Sequence, residues 1–198
     1  MKLVLATQNP KKLKEMNEIL SHLGVEVVSE AELGVRIEVE ETGETFTDNA
    51  RLKATAVMQA TGLPAVADDS GRCVDALNGG PGVYSARFGG EGLDDKGRYT
   101  LLLEMLRGQT DRAAHFHTSI VCAFPNGDEL VCEGECPGTI AFAPMGEGGF
   151  GYDPVFFVPE LRKTFGQLTA EEKASVSHRG KALRAFAAAL DDYLKGNE

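Results

Sequence analysis

Residues 1–29 alternate between short apolar runs and one amphipathic stretch. The apolar run Lys2–Ala6 predicts a buried strand. Asn9 followed by Pro10 is typical of a helix N-cap and first helical position, and apolar residues at helical spacing continue as far as Gly24, a favoured helix stop. A second apolar run, Val25–Ser29, comes next. The order strand, helix, strand favours a sheet with helices on its faces.

The rest of the chain continues this alternation and then changes it. Helical patterns are expected over residues 46–61, 94–107 and 183–194. A further helix is expected to begin at a capping box formed by Thr169 and Glu172. Strand patterns are expected over residues 63–67, 115–124, 129–141 and 154–158. The first of these strands is expected to end at Asp68, and Asn126-Gly127 predicts a hairpin between the second and third. The predicted fold class is α/β with a mixed sheet, parallel early and antiparallel later.

The length and net charge of the chain narrow the range of functions to be expected. The chain has 198 residues and suits one domain, residues 1–198, or one domain with two lobes. Its net charge of −10 disfavours binding to the phosphate backbone of DNA or RNA, so no nucleic-acid partner is expected. No apolar run reaches the roughly 20 residues that span a bilayer, and the N-terminus lacks a signal-peptide core. We therefore expect no membrane partner and a cytoplasmic location.

Cysteines and strand histidines are the residue types in this chain that most often bind zinc. Cys132 and Cys136 form one pair with no second pair to complete a zinc site, so free thiols are expected. His115 and His117 alternate on a predicted strand and share a face. The sequence shows no third ligand near them, so we interpret both as polar strand residues.

A polar segment follows the first predicted strand and opens the first helix. It consists of Thr7, Gln8, Asn9, Pro10, Lys11 and Lys12. A helix N-terminus offers free N–H groups and a partial positive charge, which suit phosphate. Lysines in a first turn oppose the helix dipole, which favours a phosphate site over a merely capped helix. Lys53, among alanines on the second helix, either extends from an apolar face to solvent or points at phosphate.

Acidic residues cluster in two places, Glu38–Glu44 and Asp68-Asp69. Adjacent carboxylates after a buried strand are suited to a divalent ion, and Mg²⁺ held by one or two carboxylates plus substrate phosphates would compensate their charge. For the glutamates, a solvated acidic loop is an equally good interpretation. For Asp68-Asp69-Ser70-Gly71, an ordinary turn is the less favoured one.

Two later segments also carry candidate chemistry. Residues 148–154 combine glycines, which let a backbone approach a ligand closely, with Phe150 and Tyr152, which could stack on a base. The alternative is a flexible loop whose aromatic rings return to the core. Residues 173–181 gather a serine, a histidine, an arginine and lysines, which offer many hydrogen-bond donors. A solvated helix junction is an equally good interpretation of that stretch.

Six motifs follow one another along the chain: Leu5-Ala6-Thr7 with Asn9 and Lys12, Glu40-Glu41-Thr42-Gly43 with Thr45-Phe46, Ala67-Asp68-Asp69-Ser70-Gly71, Pro81-Gly82-Val83-Tyr84-Ser85-Ala86-Arg87, Gly148-Gly149-Phe150-Gly151-Tyr152-Asp153-Pro154 and Ser177-His178-Arg179-Gly180. In this order they resemble the inosine triphosphate pyrophosphatases, also described as dITP/XTP pyrophosphatases, over nearly the whole chain. The resemblance implies an elongated two-lobed α/β fold, an active site in the cleft between the lobes, a nucleoside triphosphate substrate and a homodimer.

The resemblance also implies roles for individual residues. Thr7 to Lys12 correspond to the triphosphate-binding segment, Lys53 to a phosphate-contacting lysine, and Asp69 to both the proton acceptor and a Mg²⁺ ligand. Glu40 and Glu41 correspond to the second acidic metal position, and either could coordinate. The other substrate-binding positions are Ser70, Phe150, Gly151, Tyr152, Asp153, Lys173, His178 and Arg179. Gln8 stands where a smaller residue is expected, which affects the shape of the loop.

The implied reaction is Mg²⁺-dependent hydrolysis between the α and β phosphates of deaminated purine nucleotides, with Asp69 activating the water. One alternative is a pyrophosphatase for pyrimidine or modified nucleotides, as in the septum-formation inhibitor family. The stretch Ser177-His178-Arg179 argues against it. Another alternative is a nucleotide-binding regulator without catalysis, which would not need a water-activating carboxylate.

Overall fold

A computed structural model describes residues 1–196. The helices of this range are α1 (Pro10–Leu20), α2 (Phe46–Thr61), α3 (Asp95–Met105), α4 (Ala170–Val176) and α5 (His178–Gly196). The strands are β1 (Lys2–Leu5), β2 (Glu26–Ser29), β3 (Ala65–Val74), β4 (Pro81–Gly82), β5 (Ala113–Ala123), β6 (Glu129–Ile140), β7 (Phe156–Val158) and β8 (Lys163–Thr164). No helix of the described range is both long and apolar enough to cross a bilayer.

The N-terminal β-α-β unit is confirmed. The side chain of Asn9 accepts a hydrogen bond from the backbone N–H of Lys11 and caps α1, with Pro10 at the start of the helix. After a short 3₁₀ turn, Gly24 adopts a left-handed φ of 64°, which a residue without a Cβ tolerates best. β1 then pairs in parallel with β2, with Leu3 opposite Val27. The segment that opens α1 is therefore fixed at the carboxyl end of β1.

Helix α2 has the bounds predicted from the sequence. Thr45 and Asp48 form a reciprocal capping box at its start, and Gly62 ends it in a left-handed conformation. Ala50, Ala54 and Val57 are buried along one face. The helix therefore has a fixed start and rotation, which determine where Asn49 and Lys53 point.

The predicted end of the third strand is wrong. β3 does not stop at Asp68 but continues through Asp69, Ser70 and Gly71 to Val74. Asp68 is buried within the strand, where Lys12 provides a compensating charge. Buried carboxylates are rare, so the pattern predicts that the strand ends where the aspartates begin. The partner that compensates the charge of Asp68 lies 56 positions earlier in the chain.

The sheet is mixed, as predicted. Its strand order is β2-β1-β3-β5-β6-β7-β8, with β4 pairing with β3. β1 pairs in parallel with β2 and β3, whereas β6 with β7, and β7 with β8, are antiparallel. Along β1, Leu3 and Leu5 belong to the core cluster that includes residues of α1 and α5, while Val4 belongs to the cluster that includes Val57 of α2. Helices thus cover both faces at β1, and the α/β class is confirmed.

The chain divides into two compact units. Unit 1 contains Met1–Asp69, Thr118–Gly134 and the chain from Lys181 onward; unit 2 contains Ser70–His117 and Glu135–Gly180. Unit 2 has its own aromatic core, in which the ring of Phe116 lies 4.2 Å from that of Phe156 and 4.9 Å from that of Phe165. The assignment of residues 1–198 to a single catalytic domain stays a prediction.

Candidate active site

In unit 1, the segment that opens α1 borders two hollows. The hydroxyl oxygen of Thr7 accepts a hydrogen bond from the backbone N–H of Asn9 at 3.2 Å, which helps to fix the turn. Thr7 and Gln8 line both hollows, of about 340 and 310 Å³. Asn9 and Pro10 line the first hollow together with Arg36, and Lys53 lines the second. The predicted phosphate segment and Lys53 therefore share one surface.

Two carboxylates converge on the ammonium of Lys53. Its Nζ atom lies 2.7 Å from Oε1 of Glu41 and 3.7 Å from Oδ1 of Asp69, and it donates a hydrogen bond to the carbonyl of Asp68 at 2.9 Å. The amide of Asn49 donates to Oδ2 of Asp69 at 3.3 Å. Glu41 and Asp69 therefore face one positively charged point.

Asp68 and Asp69 have different surroundings. The Asp68 side chain is 3% exposed and accepts a hydrogen bond from Lys12 at 2.8 Å, whereas the Asp69 side chain is 15% exposed. Because successive strand residues point to opposite faces, the two carboxylates diverge. Lys12 thus forms an ion pair with a buried acid, which neutralises Asp68. Asp69 is the more accessible acid for chemistry.

The structure separates the two glutamates that the sequence left equivalent. Glu40 is exposed, and Glu41 is half-buried against Lys53. Carboxylate oxygens are the ligands that Mg²⁺ prefers, and a pair facing one cation suits such an ion. Glu41 and Asp69 therefore fit a divalent ion better than Glu40 does. Lys11, at the same helix start, is exposed.

In unit 2, the loop at residues 150–153 is held by the carboxylates of Asp153 and Asp95. Oδ2 of Asp153, which is 2% exposed, accepts hydrogen bonds from Nζ of Lys173 at 2.6 Å and from the backbone N–H of Phe150 at 3.0 Å. The N–H of Gly151 donates to Asp95 at 2.6 Å. Phe150 is 71% exposed, and the Lys173 ammonium lies 5.0 Å from the centroid of its ring. Phe150 therefore presents a free aromatic face.

The expectation that the Tyr152 ring could stack on a base is wrong, because the ring is buried. Tyr152 is 1% exposed, and its hydroxyl donates to the carbonyl of Ser85 at 2.9 Å. The guanidinium of Arg72 lies 4.5 Å from the Tyr152 ring and 4.7 Å from the Phe116 ring. The ring is part of the core, because its hydroxyl finds a partner there and Arg72 covers its face.

His178 begins α5 as a neutral imidazole. Its ring stacks on Phe116 at 4.8 Å with an interplanar angle of 9°. Burial, and then the charges of Arg72, Lys173 and Arg179, lower the pKa of His178 to about 3. Its buried Nδ1 has no hydrogen-bond partner among residues 1–196. A neutral imidazole can donate one hydrogen bond and accept another, so His178 is equipped to contact a polar ligand edge.

The remaining predicted positions lie beside these residues along the chain. Arg179 follows His178 in the first turn of α5 and is half-buried, and Ser70 is exposed in β3 directly after Asp69.

Comparison with known proteins identifies the family of this chain. The sequence model of the Ham1 family matches residues 3–189. The chain belongs to the Ham1 family. The dITP/XTP pyrophosphatase of an Exiguobacterium species is 50% identical to it over 196 residues, covering 99% of this chain and all of the relative. That of Thermus thermophilus is 52% identical over 194 residues, covering 97% of this chain and 93% of the relative.

Solved structures support the same assignment. The HAM1 protein of Coxiella burnetii matches with a TM-score of 0.92 and 42% identity, covering 97% of this chain and 99% of that one. The Ham1 protein of Staphylococcus aureus matches with a TM-score of 0.90 and 40% identity over the whole of both chains. The resemblance inferred from the motifs is confirmed, and so is the α/β fold of this Ham1-family chain.

Two residues that contact or neighbour the candidate site residues were missed in the sequence. Asn49 is fully buried and bonded to both Asp69 and the N–H of Gly43. Its position four residues before Lys53 places both on one face of α2, and this spacing could have indicated it. Arg72 has no such signal, since its two aromatic neighbours lie 44 and 80 positions away.

Proposed function

We propose that this chain is a nucleoside triphosphate pyrophosphohydrolase acting on deaminated purine nucleotides (ITP, dITP and XTP). It releases the monophosphate and pyrophosphate, and so keeps these nucleotides out of DNA and RNA. The carrying observation is the convergence of Glu41 and Asp69 on Lys53, which shares a hollow with Thr7 and Gln8. Relatives that carry the name dITP/XTP pyrophosphatase, at about half identity over nearly the whole chain, support the substrate.

The proposal includes Mg²⁺, which Asp69 and Glu41 would hold. Glu40 remains the weaker candidate because it is exposed and Glu41 is the one that contacts Lys53. When bound, the ion would neutralise negative charge on the phosphate oxygens. A cation-binding role also fits the charge balance here, because two carboxylates face a single lysine.

Asp69 acts as the proton acceptor for the attacking water. The hydrogen bond from Asn49 to Oδ2 fixes the carboxylate and leaves its orientation defined for proton transfer. Lys53, which lines the hollow, would contact a phosphate oxygen. The N–H groups at the start of α1, together with Lys11 and Lys12, add positive potential for the triphosphate. Lys12 combines this role with its ion pair to Asp68.

Unit 2 supplies recognition of the base. The exposed ring of Phe150 stacks on the purine, and Lys173 and Asp153 hold the loop that carries it. His178 and Arg179 act at the 6-position, where inosine and xanthosine carry a carbonyl and adenosine an amino group. A binding site whose hydrogen-bond donors are left unpaired by adenine can discriminate against adenosine nucleotides by about 10⁴-fold. Ser70, Gly151 and the backbone of Tyr152 complete the set of proposed substrate contacts.

The resemblance further supports a homodimer and a single catalytic domain, and we include both in the proposal. Sedimentation equilibrium of the purified chain tests the first. A molecular mass of twice 21.2 kDa is expected, and a single mass of 21.2 kDa at all concentrations would contradict it.

The deciding experiment measures pyrophosphate release from ITP, dITP, XTP, ATP, GTP and dUTP, with Mg²⁺ and with a chelator. Release from the first three that requires Mg²⁺, with ATP and GTP far slower, is the expected result. Equal release from all purine nucleotides would reject the selectivity and keep the chemistry. Preference for dUTP would favour the pyrimidine-directed alternative, and no release from any nucleotide would favour a non-catalytic binder. The Asp69→Asn variant, prepared in the same way, is the control, because activity from a contaminating phosphatase would persist in it.

A further inference from the structure

Unit 2 contains a cluster of two histidines and one glutamate outside the proposed catalytic residues. His115 and His117 point to one face of β5, and Glu135 reaches them from β6. No third candidate ligand lies near these histidines in the sequence, but the hairpin brings Glu135 beside them from 18 positions away.

The three side chains are close enough to share one ion. Oε1 of Glu135 lies 3.0 Å from Nδ1 of His117 and 3.9 Å from Nε2 of His115, and one ligand atom from each residue lies within 4.8 Å of the others. Bonds of about 2.1 Å in a tetrahedral arrangement place neighbouring ligand atoms about 3.4 Å apart. Small side-chain rotations therefore bring the trio to coordination distance, with no movement of the strands.

The ligand set points to one class of metal. Two imidazole nitrogens and one carboxylate oxygen suit Zn²⁺ and its transition-metal neighbours, whereas Mg²⁺ prefers oxygen alone. Three protein ligands leave a fourth position for water, as in open zinc sites. The exposed fractions of the His117, His115 and Glu135 side chains are 14%, 33% and 57%, so the cluster can be entered from solvent.

We propose that His115, His117 and Glu135 form a binding site for a single transition-metal dication of the zinc class. The site is chemically separate from the carboxylates proposed for Mg²⁺, and it does not depend on the proposed function. The competing explanation is a histidine–carboxylate hydrogen bond with no affinity for metal.

The first test is a calorimetric titration of Zn²⁺ into the full chain, from which bound metal has been removed. Excess Mg²⁺ is present, so that sites with oxygen ligands are already filled. One Zn²⁺ per chain is expected. In ¹H–¹³C spectra of the same sample, the ring signals of His115 and His117 are expected to shift in step, while that of the exposed His22 stays in place. This readout needs no variant, so it holds even if a substitution disturbs folding.

Variants then identify the ligands. His115→Ala and Glu135→Gln are each expected to weaken Zn²⁺ binding by at least about tenfold, because loss of even an indirect partner of a metal costs that much. His22→Ala is the histidine-matched control, and Cys73→Ser excludes binding through the one cysteine that is only half-buried. Both are expected to bind as the wild type does. Absence of Zn²⁺ binding, or binding unchanged by His115→Ala and Glu135→Gln, would overturn the proposal.

Discussion

Lys53 donates a hydrogen bond from Nζ to Oε1 of Glu41 at 2.7 Å. Lys53 lies on α2, and Glu41 lies on the acidic loop before that helix. The ammonium of Lys53 is also 3.7 Å from Oδ1 of Asp69. One positive charge thus stands among carboxylates that would otherwise repel one another. This relationship distinguishes Glu41 from Glu40, which no pattern in the sequence does, and it leads to the first prediction.

Glu41→Gln is expected to raise the Mg²⁺ concentration needed for half-maximal pyrophosphate release by at least about tenfold, because a carboxamide is a weaker metal ligand than a carboxylate. The neighbouring change Glu40→Gln is the matched control and is expected to leave that concentration nearly unchanged, since Glu40 is exposed. Activity measured across a Mg²⁺ titration gives both values. The opposite ranking of the two variants would assign the metal to Glu40.

Asp69→Asn is expected to lower kcat by about 100- to 10,000-fold, the range that general base catalysis contributes. The amide has nearly the same shape and can still face Asn49, so the circular dichroism spectrum and unfolding midpoint are expected to stay close to the wild type. Full activity in a folded Asp69→Asn protein would remove this residue from the mechanism.

Asn49→Ala is expected to reduce the free energy of unfolding by about 1–3 kcal/mol, because it leaves the N–H of Gly43 without the acceptor that now lies 2.7 Å away. Urea denaturation measures the loss. Asn49→Asp is the informative companion, since it keeps an acceptor for Gly43 but replaces the donor facing Asp69 with a second charge. Because the new carboxylate is fully buried beside Asp69, this variant is expected to lose stability as well as turnover. Equal activity of Asn49→Asp and the wild type would contradict the positioning role.

Local signals accounted for the parts of the fold that the sequence predicted well. The capping box of Thr45 and Asp48 and the stop at Gly62 lie next to the helix that they bound, so α2 could be assigned directly. The end of β3 could not, because the burial of Asp68 depends on Lys12, from a distant part of the chain. Residues whose environment is supplied by remote partners are misjudged by pattern alone.

The candidate site divides in the same way. Motif order predicts that Asp69, Lys53 and the α1 start share one site. In unit 1, Lys53 lines a hollow with Thr7 and Gln8 and lies 3.7 Å from Asp69. Motif order could not predict that Tyr152 is buried while Phe150 is exposed, since both are aromatic residues in one glycine-rich loop. The contacts of the Tyr152 ring come from remote parts of the chain, with Arg72 over its face and its hydroxyl bonded to the carbonyl of Ser85.

Gly149→Ala is expected to lower kcat/KM by about 100-fold, as small displacements of positioning groups do. Gly149 has a φ of +80°, and an added Cβ would overlap Oδ2 of Asp153, the atom that holds Phe150 and Lys173. Gly92→Ala is the matched control, because Gly92 has a similar φ of +88° with no atom within 4 Å of its would-be Cβ. Steady-state kinetics on ITP compares the two, and equal losses would mean that backbone strain alone is responsible.

The pH dependence of stability tests the neutral state of His178. Its folded-state pKa of about 3 lies below the ordinary value of 6.5, so the unfolded chain binds an extra proton between these pH values. Stability from this residue is therefore complete above pH 6.5 and is lost as the pH falls, by about 2 kcal/mol at pH 5. His178→Phe keeps a ring to stack on Phe116 but cannot titrate. In urea denaturation at pH 7.5 and pH 5, the variant is expected to lose about 2 kcal/mol less than the wild type. Other titrating groups are shared by the two proteins and cancel in this comparison. Equal losses would show that His178 takes up its proton in the folded protein at an ordinary pKa, and the neutral donor–acceptor role assigned to it at the purine 6-position would then fail.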